Sequence, residues 1–375
     1  MEVIAISLAR GVLHNESRER ARMRLYAEKL DHLHMVVCTR KIHGDGEVMH
    51  EDKLSLYPTH TRTRMGMLIR AYQIGRDIAT HTRTPETCVV SAQDPLETGW
   101  IAYFLAWRAN ARFHVQVHGD YFDSRWRGRS LTRMVKHVCA LALLRRAPAI
   151  RVVSERIKRS LIKRGISESR IMVLPIRPEL EEFLKSTAHP YREGEPFVFL
   201  FVGRLSPEKD IPRIIMAFDQ VYKKNRNIRL QLVGSGGEEK RIRALVTSYA
   251  LRDVVSLVPW ESDIAARMSR AHALVLASKH EAYGLVLIEA MAVGLPLITT
   301  DVGCAGEVVR DGIQGIVVSD NSVASFARAM SRMIEDEGAR TSYARHAKAA
   351  ARSLSQSYSS ETYRDAWVQS LSRAL

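Results

Sequence analysis

Two α/β domains, each a parallel sheet covered on both faces by helices, are the architecture this sequence predicts. Three observations carry it. At 375 residues the chain exceeds the length at which one core keeps growing. Short β-branched apolar runs alternate with longer segments of three- and four-residue apolar spacing. Half-way along, a polar stretch carrying three prolines interrupts that alternation.

The strands come first. In the first half they are Val3 to Ser7, His34 to Cys38, Cys88 to Ser91, Phe113 to Val117 and Ala149 to Val153. In the second half they are Phe197 to Val202, Ile228 to Val233, Val254 to Val258, Ala273 to Leu276, Leu295 to Thr299 and Gly315 to Val318. All are mostly apolar, as strands buried on both faces of a parallel sheet must be. Between them, spacings such as Ile214, Ile215, Phe218 and Val221 read as helix. The interruption from Arg177 to Pro196 gives the domain organisation: residues 1–177, a linker at 178–196, residues 197–355, and a closing helix at 356–375. That last helix places Tyr363, Trp367 and Leu371 on one face and is expected to dock through it.

Composition excludes several classes. The longest apolar run, Val138 to Leu144, is far short of a membrane span. The N-terminus "MEVIAISLAR" reads as a buried strand rather than a secretory leader. Four cysteines are scattered without a C-x-x-C pair, which fits reduced thiols in the cytoplasm and argues against a structural zinc site. The net charge is +15, and residues 101–177 hold 17 basic against 4 acidic residues. An anionic partner is therefore expected on the first half.

The stretch "EAYGLVLIEAMAVGLPLITT" concentrates the chemistry. A strand ends at Ser278, a turn follows, and an apolar helix begins after Gly284, with Glu289 about one turn inside it. A carboxylate there must meet a donor. Either the protein's own backbone supplies one, or Glu289 accepts from the vicinal hydroxyls of a ribose. The turn Glu281 to Gly284 offers backbone N–H groups at a helix N-terminus, which suits a phosphate. Together these describe a nucleoside diphosphate, with Glu281 directed at whatever the diphosphate carries.

The pattern E-x7-E within "HEAYGLVLIEAMAVGLPLITTDVGCAGEVVRDGIQGIVV" resembles the donor site of retaining glycosyltransferases of family 4. The resemblance implies the GT-B fold: two Rossmann-like domains facing across a cleft, with a C-terminal helix closing the structure. It implies a sugar transferred from a nucleoside diphosphate sugar, UDP- or GDP-linked, to an acceptor hydroxyl, with no metal or other cofactor required. "FVGRLSPEKD" matches the family's first strand and turn of the nucleotide domain. Donor-binding positions are then Gly203, Arg204, Lys209, Glu281, Ala282, Tyr283, Gly284, Leu285 and Glu289, and the catalytic set is His118, Glu281, Arg204 and Lys209. "FHVQVHGDYF" puts His118 and Asp120 after a strand, and "SAQDPLETGW" adds Asp94 and Glu97. These four are the acceptor-side positions, although Asp94 and Glu97 serve equally well as caps of the following helix. The first-strand loop departs from the family's Gly-Gly pattern, having Gly11 alone.

Partners follow from the same reading. A lipid-linked or polysaccharide acceptor is expected. The basic segment 125–146, with Trp126 and an apolar tail, either lies on an anionic membrane at the inner face of the plasma membrane or forms a core helix with a solvated basic face. Two other classes stay open. A nucleic-acid or polyanion binder would explain the charge, but no nucleic-acid motif is present, so no nucleic acid is expected. Another GT-B enzyme, such as a sugar-nucleotide epimerase, would share the donor residues.

Overall fold

The computed structural model describes residues 1–375 apart from 45–46, 82–86, 120 and 123–129, and the side chain of His43. The chain divides into two compact units, Met1–Pro175 with Ser360–Leu375, and Ile176–Ser359.

The first unit is built on a sheet in the order β3-β4-β2-β1-β5-β6-β7-β8, comprising β1 (Glu2–Ser7), β2 (His32–Val37), β3 (Met49–His50), β4 (Leu54–Pro58), β5 (Cys88–Ala92), β6 (Arg112–Val117), β7 (Ala149–Val152) and β8 (Ile171–Val173). Every pairing is parallel except β3 with β4. The second unit has the all-parallel order β11-β10-β9-β12-β13-β14, comprising β9 (Phe197–Val202), β10 (Ile228–Val233), β11 (Val255–Val258), β12 (Ala273–Leu276), β13 (Leu297–Thr300) and β14 (Gly315–Val318). Helices such as Arg64–His81, Glu97–Ala109 and Ile211–Tyr222 connect the strands, so two parallel α/β sheets are observed, as the run pattern requires.

The core follows from the apolar runs. Phe197, Phe199 and Phe201 are fully buried on β9, and Ile214, Ile215, Phe218 and Val221 turn one stripe of the next helix onto the sheet. Helix Leu285–Val293 is apolar on all sides and is enclosed accordingly, with Leu287, Ile288 and Ala290 to Val293 all buried.

Two parts of the expected organisation differ. Residues 178–196, read as a linker, belong to the second unit. Phe183 is buried within a short helix, Glu181–Lys185; the Ala188 N–H donates to the Val293 carbonyl at 2.9 Å, and that of His189 to Ser269 at 2.8 Å. Tyr191 packs on Phe197 and lies under the Arg340 guanidinium. Its prolines suggested a free connection, but two aromatic anchors pin it. The closing segment is a helix at Ser360–Ser372 within the first unit, separate from Glu337–Ser357. Its Tyr363, Trp367 and Leu371 are buried, with Trp367 stacked on Tyr26 at 4.8 Å.

Candidate active site

In a doubly wound sheet, ligands bind beyond the carboxyl ends of the strands where the strand order reverses. In the second unit that point lies between β9 and β12, which pair in parallel. The turns following these two strands carry most of the residues singled out from the sequence.

The two turns are joined by an ion pair. Lys209 Nζ lies 2.5 Å from Glu281 Oε1, and Ser278 Oγ donates to the same oxygen at 2.6 Å. The Lys279 N–H donates to the Glu208 carbonyl at 2.8 Å, and both partners of the ion pair are largely shielded. Arg204, one residue beyond Gly203, is exposed, and its side chain makes no hydrogen bond or ion pair among the described residues. A cationic side chain without a carboxylate partner, beside a paired one, is an arrangement that can receive anionic charge.

Backbone contact fixes the turns. A Cβ on Gly234, just past β10, would lie 1.9 Å from the Gly203 carbonyl oxygen, so the turns after β9 and β10 touch main chain to main chain. Behind the second turn, Gly303 sits at φ 58°, and its Cβ would come within 2.5 Å of the Tyr283 carbonyl, which accepts from the Cys304 N–H at 2.8 Å. The Tyr283 ring is buried in the core. Whatever residues 282–284 offer a ligand at that position is therefore main chain rather than the ring.

Helix Leu285–Val293 starts from Gly284 at φ 85°, and no side chain caps it. The amides of Leu285 and Val286 have no partner among the described residues. Glu289, one turn further in, is half-buried and makes neither hydrogen bond nor ion pair among the described residues. Burial pushes its carboxyl up to about 7. Of the two readings the sequence allowed, a backbone partner is absent here. Among the described residues no group of three or more His, Cys, Asp or Glu is placed to hold a metal ion.

The first unit holds the other expected positions. Asp94 follows β5 and accepts from the Leu96 N–H at 2.7 Å and the Thr98 hydroxyl at 2.6 Å, closing the start of helix Glu97–Ala109. Burial raises its carboxyl above the usual range, and those two hydrogen bonds pull the other way. Glu97 is held by Arg64 at 2.5 and 2.6 Å. Asp94 thus holds the turn into that helix, and Glu97 is engaged by Arg64. Asp120 lies outside the described residues, as do residues 125–129 of the basic segment and with them Trp126.

His118 directly follows β6 and is half-buried. Its Nε2 meets Gln116 Oε1 at 3.2 Å, and burial, then the charges of Arg151 and Arg22, lower its pKa to about 3. Gln116 in turn accepts from Arg151 Nη1 at 2.6 Å, and Arg151 Nη2 donates to the Tyr363 hydroxyl at 2.6 Å. Sequence reasoning passed over Arg151, Gln116 and Tyr363 as site components. A signal was present: "AIRVV" and "FHVQV" set charged and polar residues inside buried strands, where each must find partners.

Set beside known proteins, both halves match glycosyltransferase family models. Residues 185–352 match "Glycosyl transferases group 1" and residues 20–177 match "Glycosyl transferase 4-like domain". Only 1–19, 178–184 and 353–375 fall outside the two, and the chain belongs to these GT-B glycosyltransferases. An alpha-D-kanosaminyltransferase of Streptomyces kanamyceticus is 30% identical over 152 residues, 40% of this chain and 39% of that protein. The first curated relatives are matched over about a fifth to a half of their own length. Two solved structures share the fold over nearly all of both chains. Sucrose-phosphate synthase from Thermosynechococcus elongatus has a TM-score of 0.78 at 21% identity, covering 98% of each chain. HepE of Anabaena, in complex with UDP and glucose, has a TM-score of 0.74 at 17% identity, covering 99% of each.

Proposed function

We propose that the protein is a retaining glycosyltransferase that moves a sugar from a nucleoside diphosphate sugar to an acceptor hydroxyl in glycan, polysaccharide or glycolipid synthesis, without a divalent metal. The observation that carries this is Glu289: a half-buried carboxylate with no partner among the described residues, one turn inside a helix whose first amides are likewise unpartnered among them.

Each group then has a task. Glu289 accepts from the ribose hydroxyls, and the amides of Leu285 and Val286 take phosphate oxygens at the positive end of the helix. Cleaving the sugar–phosphate bond builds charge on the leaving diphosphate, and Arg204 with Lys209 supplies fixed cations for it. Lys209 is bonded to Glu281; as its ammonium turns to the diphosphate, Glu281 is released to accept from hydroxyls of the sugar. The leaving diphosphate takes the acceptor's proton on the face it departs from, which gives retention. HepE has been solved with UDP-glucose, which makes a uridine donor the first to test, with GDP-sugars the alternative.

The acceptor is read from the first unit. Helix Leu131–Leu144 leaves Leu131, Met134, Val135 and Val138 exposed at i, i+3, i+4 and i+7, and Trp107 on helix Glu97–Ala109 is 74% exposed. No acidic residue occurs from 130 to 154, while Arg133, Lys136, Arg145 and Arg146 do. An apolar stripe with basic neighbours suits an anionic lipid surface, which favours a lipid-linked acceptor at the inner face of the plasma membrane over a free polysaccharide. No helix among the described residues is long and apolar enough to cross a membrane.

A thermal-shift panel of UDP, GDP, ADP and a short oligonucleotide at two salt concentrations tests the donor. Binding to the folded state alone raises the melting temperature. A salt-tolerant rise with one nucleoside diphosphate is expected. A salt-sensitive rise with the oligonucleotide alone would replace the transferase by a polyanion binder. Incubating the matching sugar nucleotide without acceptor then separates transfer from epimerisation, since only an epimerase converts the donor by itself.

A further inference from the structure

We propose that Arg151 is a positioning residue for His118: through Gln116 it holds the imidazole in the form protonated on Nε2, leaving Nδ1 as an acceptor, and the helix Ser360–Ser372 fixes Arg151 through Tyr363. The function of that acceptor rests on the glycosyltransferase reading; the proton's position does not.

The argument runs through donors and acceptors. Gln116 and Arg151 are paired neighbours on β6 and β7, and both are buried. A guanidinium only donates. The Gln116 atom 2.6 Å from Arg151 Nη1 is therefore its carbonyl oxygen, and the amide cannot be turned the other way. The amide nitrogen, on the far side, donates towards Ser91 Oγ at 3.4 Å. That same carbonyl oxygen lies 3.2 Å from His118 Nε2. An oxygen accepts, so Nε2 carries the hydrogen. Nδ1 is then the atom with the lone pair, and His118 makes no other hydrogen bond among the described residues.

Arg151 is itself over-determined. Nε donates to the Leu174 carbonyl at 3.2 Å, and Nη2 donates to the Pro175 carbonyl at 3.3 Å and to the Tyr363 hydroxyl at 2.6 Å. Tyr363 donates onward to the Pro175 carbonyl at 2.7 Å. Among the described residues no carboxylate neutralises the guanidinium, and its hydrogen-bond partners are all uncharged oxygens. The last residues before the chain leaves the first unit, Leu174 and Pro175, and a residue just after it returns, Tyr363, thus meet on one side chain. The nearby positive charge also works against an imidazolium at His118, in the same direction as its burial.

The consequence is chemical. His118 in this form offers no proton from Nδ1 and cannot act as a general acid through that atom. It accepts a hydrogen bond from a hydroxyl, orienting a sugar or acceptor group rather than protonating it.

The test uses the full chain labelled with ¹⁵N-histidine, with His118 assigned by its loss in His118→Gln, and long-range ¹H–¹⁵N spectra recorded from pH 5 to 8. A single Nε2-protonated form throughout is expected. An Nδ1-protonated form, or an imidazolium above pH 6, would overturn the proposal. Gln116→Met removes the shared oxygen, whereas Gln116→Glu keeps it. Loss of the single form in the first and its retention in the second are expected. Transfer by the methionine variant should fall about tenfold or more, as for any misplaced orienting group. Equal spectra in both variants would show that Gln116 does not set the proton. If the intact protein transfers no sugar, the spectra still decide the proton's position and only the catalytic use of Nδ1 fails.

Discussion

Glu289 carries a cost that its surroundings do not offset. The unfolded chain ionises this carboxyl near its ordinary value of 4.5, the folded chain near 7. Below pH 4.5 both states hold the proton and nothing is lost. Between 4.5 and 7 only the unfolded state releases it, so stability falls as pH rises; above 7 the loss is constant. At about 1.4 kcal/mol per pH unit, that is at most about 4 kcal/mol. Glu289→Gln should therefore match the parent near pH 4.5, exceed it in melting temperature at pH 8, and lose the nucleoside diphosphate shift. A variant less stable than the parent at pH 8 would mean the carboxylate supports the fold. The sequence exposed this residue because a charge inside an apolar helix is conspicuous. It could not expose the Lys209–Glu281 pair, whose members stand 72 positions apart, nor Arg151 on Tyr363, 212 apart. Such partners are chosen by strand order, which no local pattern encodes. Asp94 and Glu97 were ambiguous for the opposite reason, since a carboxylate at the start of a helix is suited both to capping and to binding hydroxyls.

Elements were legible wherever apolar runs were long. All six strands of the second unit announce themselves as apolar runs; the central β9 and β12, closed on both faces, consist of Val, Ala, Leu and Phe alone. Strands β3, β4 and β8 did not, being two to five residues long, with β3 and β8 at the sheet edges and β4 ending on Pro58. The structure separates the glycines of "LVGSGGEE", residues 232–239. Gly234 touches the Gly203 carbonyl, whereas a Cβ on Gly237 would meet nothing within 4 Å. Gly234→Ala must push two turns apart and should cost about 2 kcal/mol or more, in the range of overpacked sites. Gly237→Ala should stay within about 0.5 kcal/mol of the parent, as open surface changes do. Urea denaturation of the two variants decides it, and equal midpoints would mean that the backbone contact between these turns is not tight.

At the scale of the whole molecule the charge is divided unequally. Residues 1–200 hold 33 Lys/Arg against 22 Asp/Glu, and the remainder 23 against 19. Composition made that asymmetry legible, but only the structure shows that the acid-free segment also leaves four apolar side chains of one helix uncovered. Self-association through that face would set like charges against each other, whereas an anionic bilayer meets both its features. The protein is expected to float with vesicles containing phosphatidylglycerol and not with purely zwitterionic ones. Raising the salt from 0.05 to 0.5 M, both values about, should weaken binding through the basic residues, since screening lengths shorten from roughly 14 to 4 Å over that range. Val135→Asp with Val138→Asp should abolish binding with the melting temperature held, because both side chains are already exposed. If the double variant still floats, the apolar stripe is not the contact and the attraction is purely ionic. If the parent does not float with anionic vesicles, the acceptor is soluble, and the exposed stripe has to be accounted for by something other than lipid.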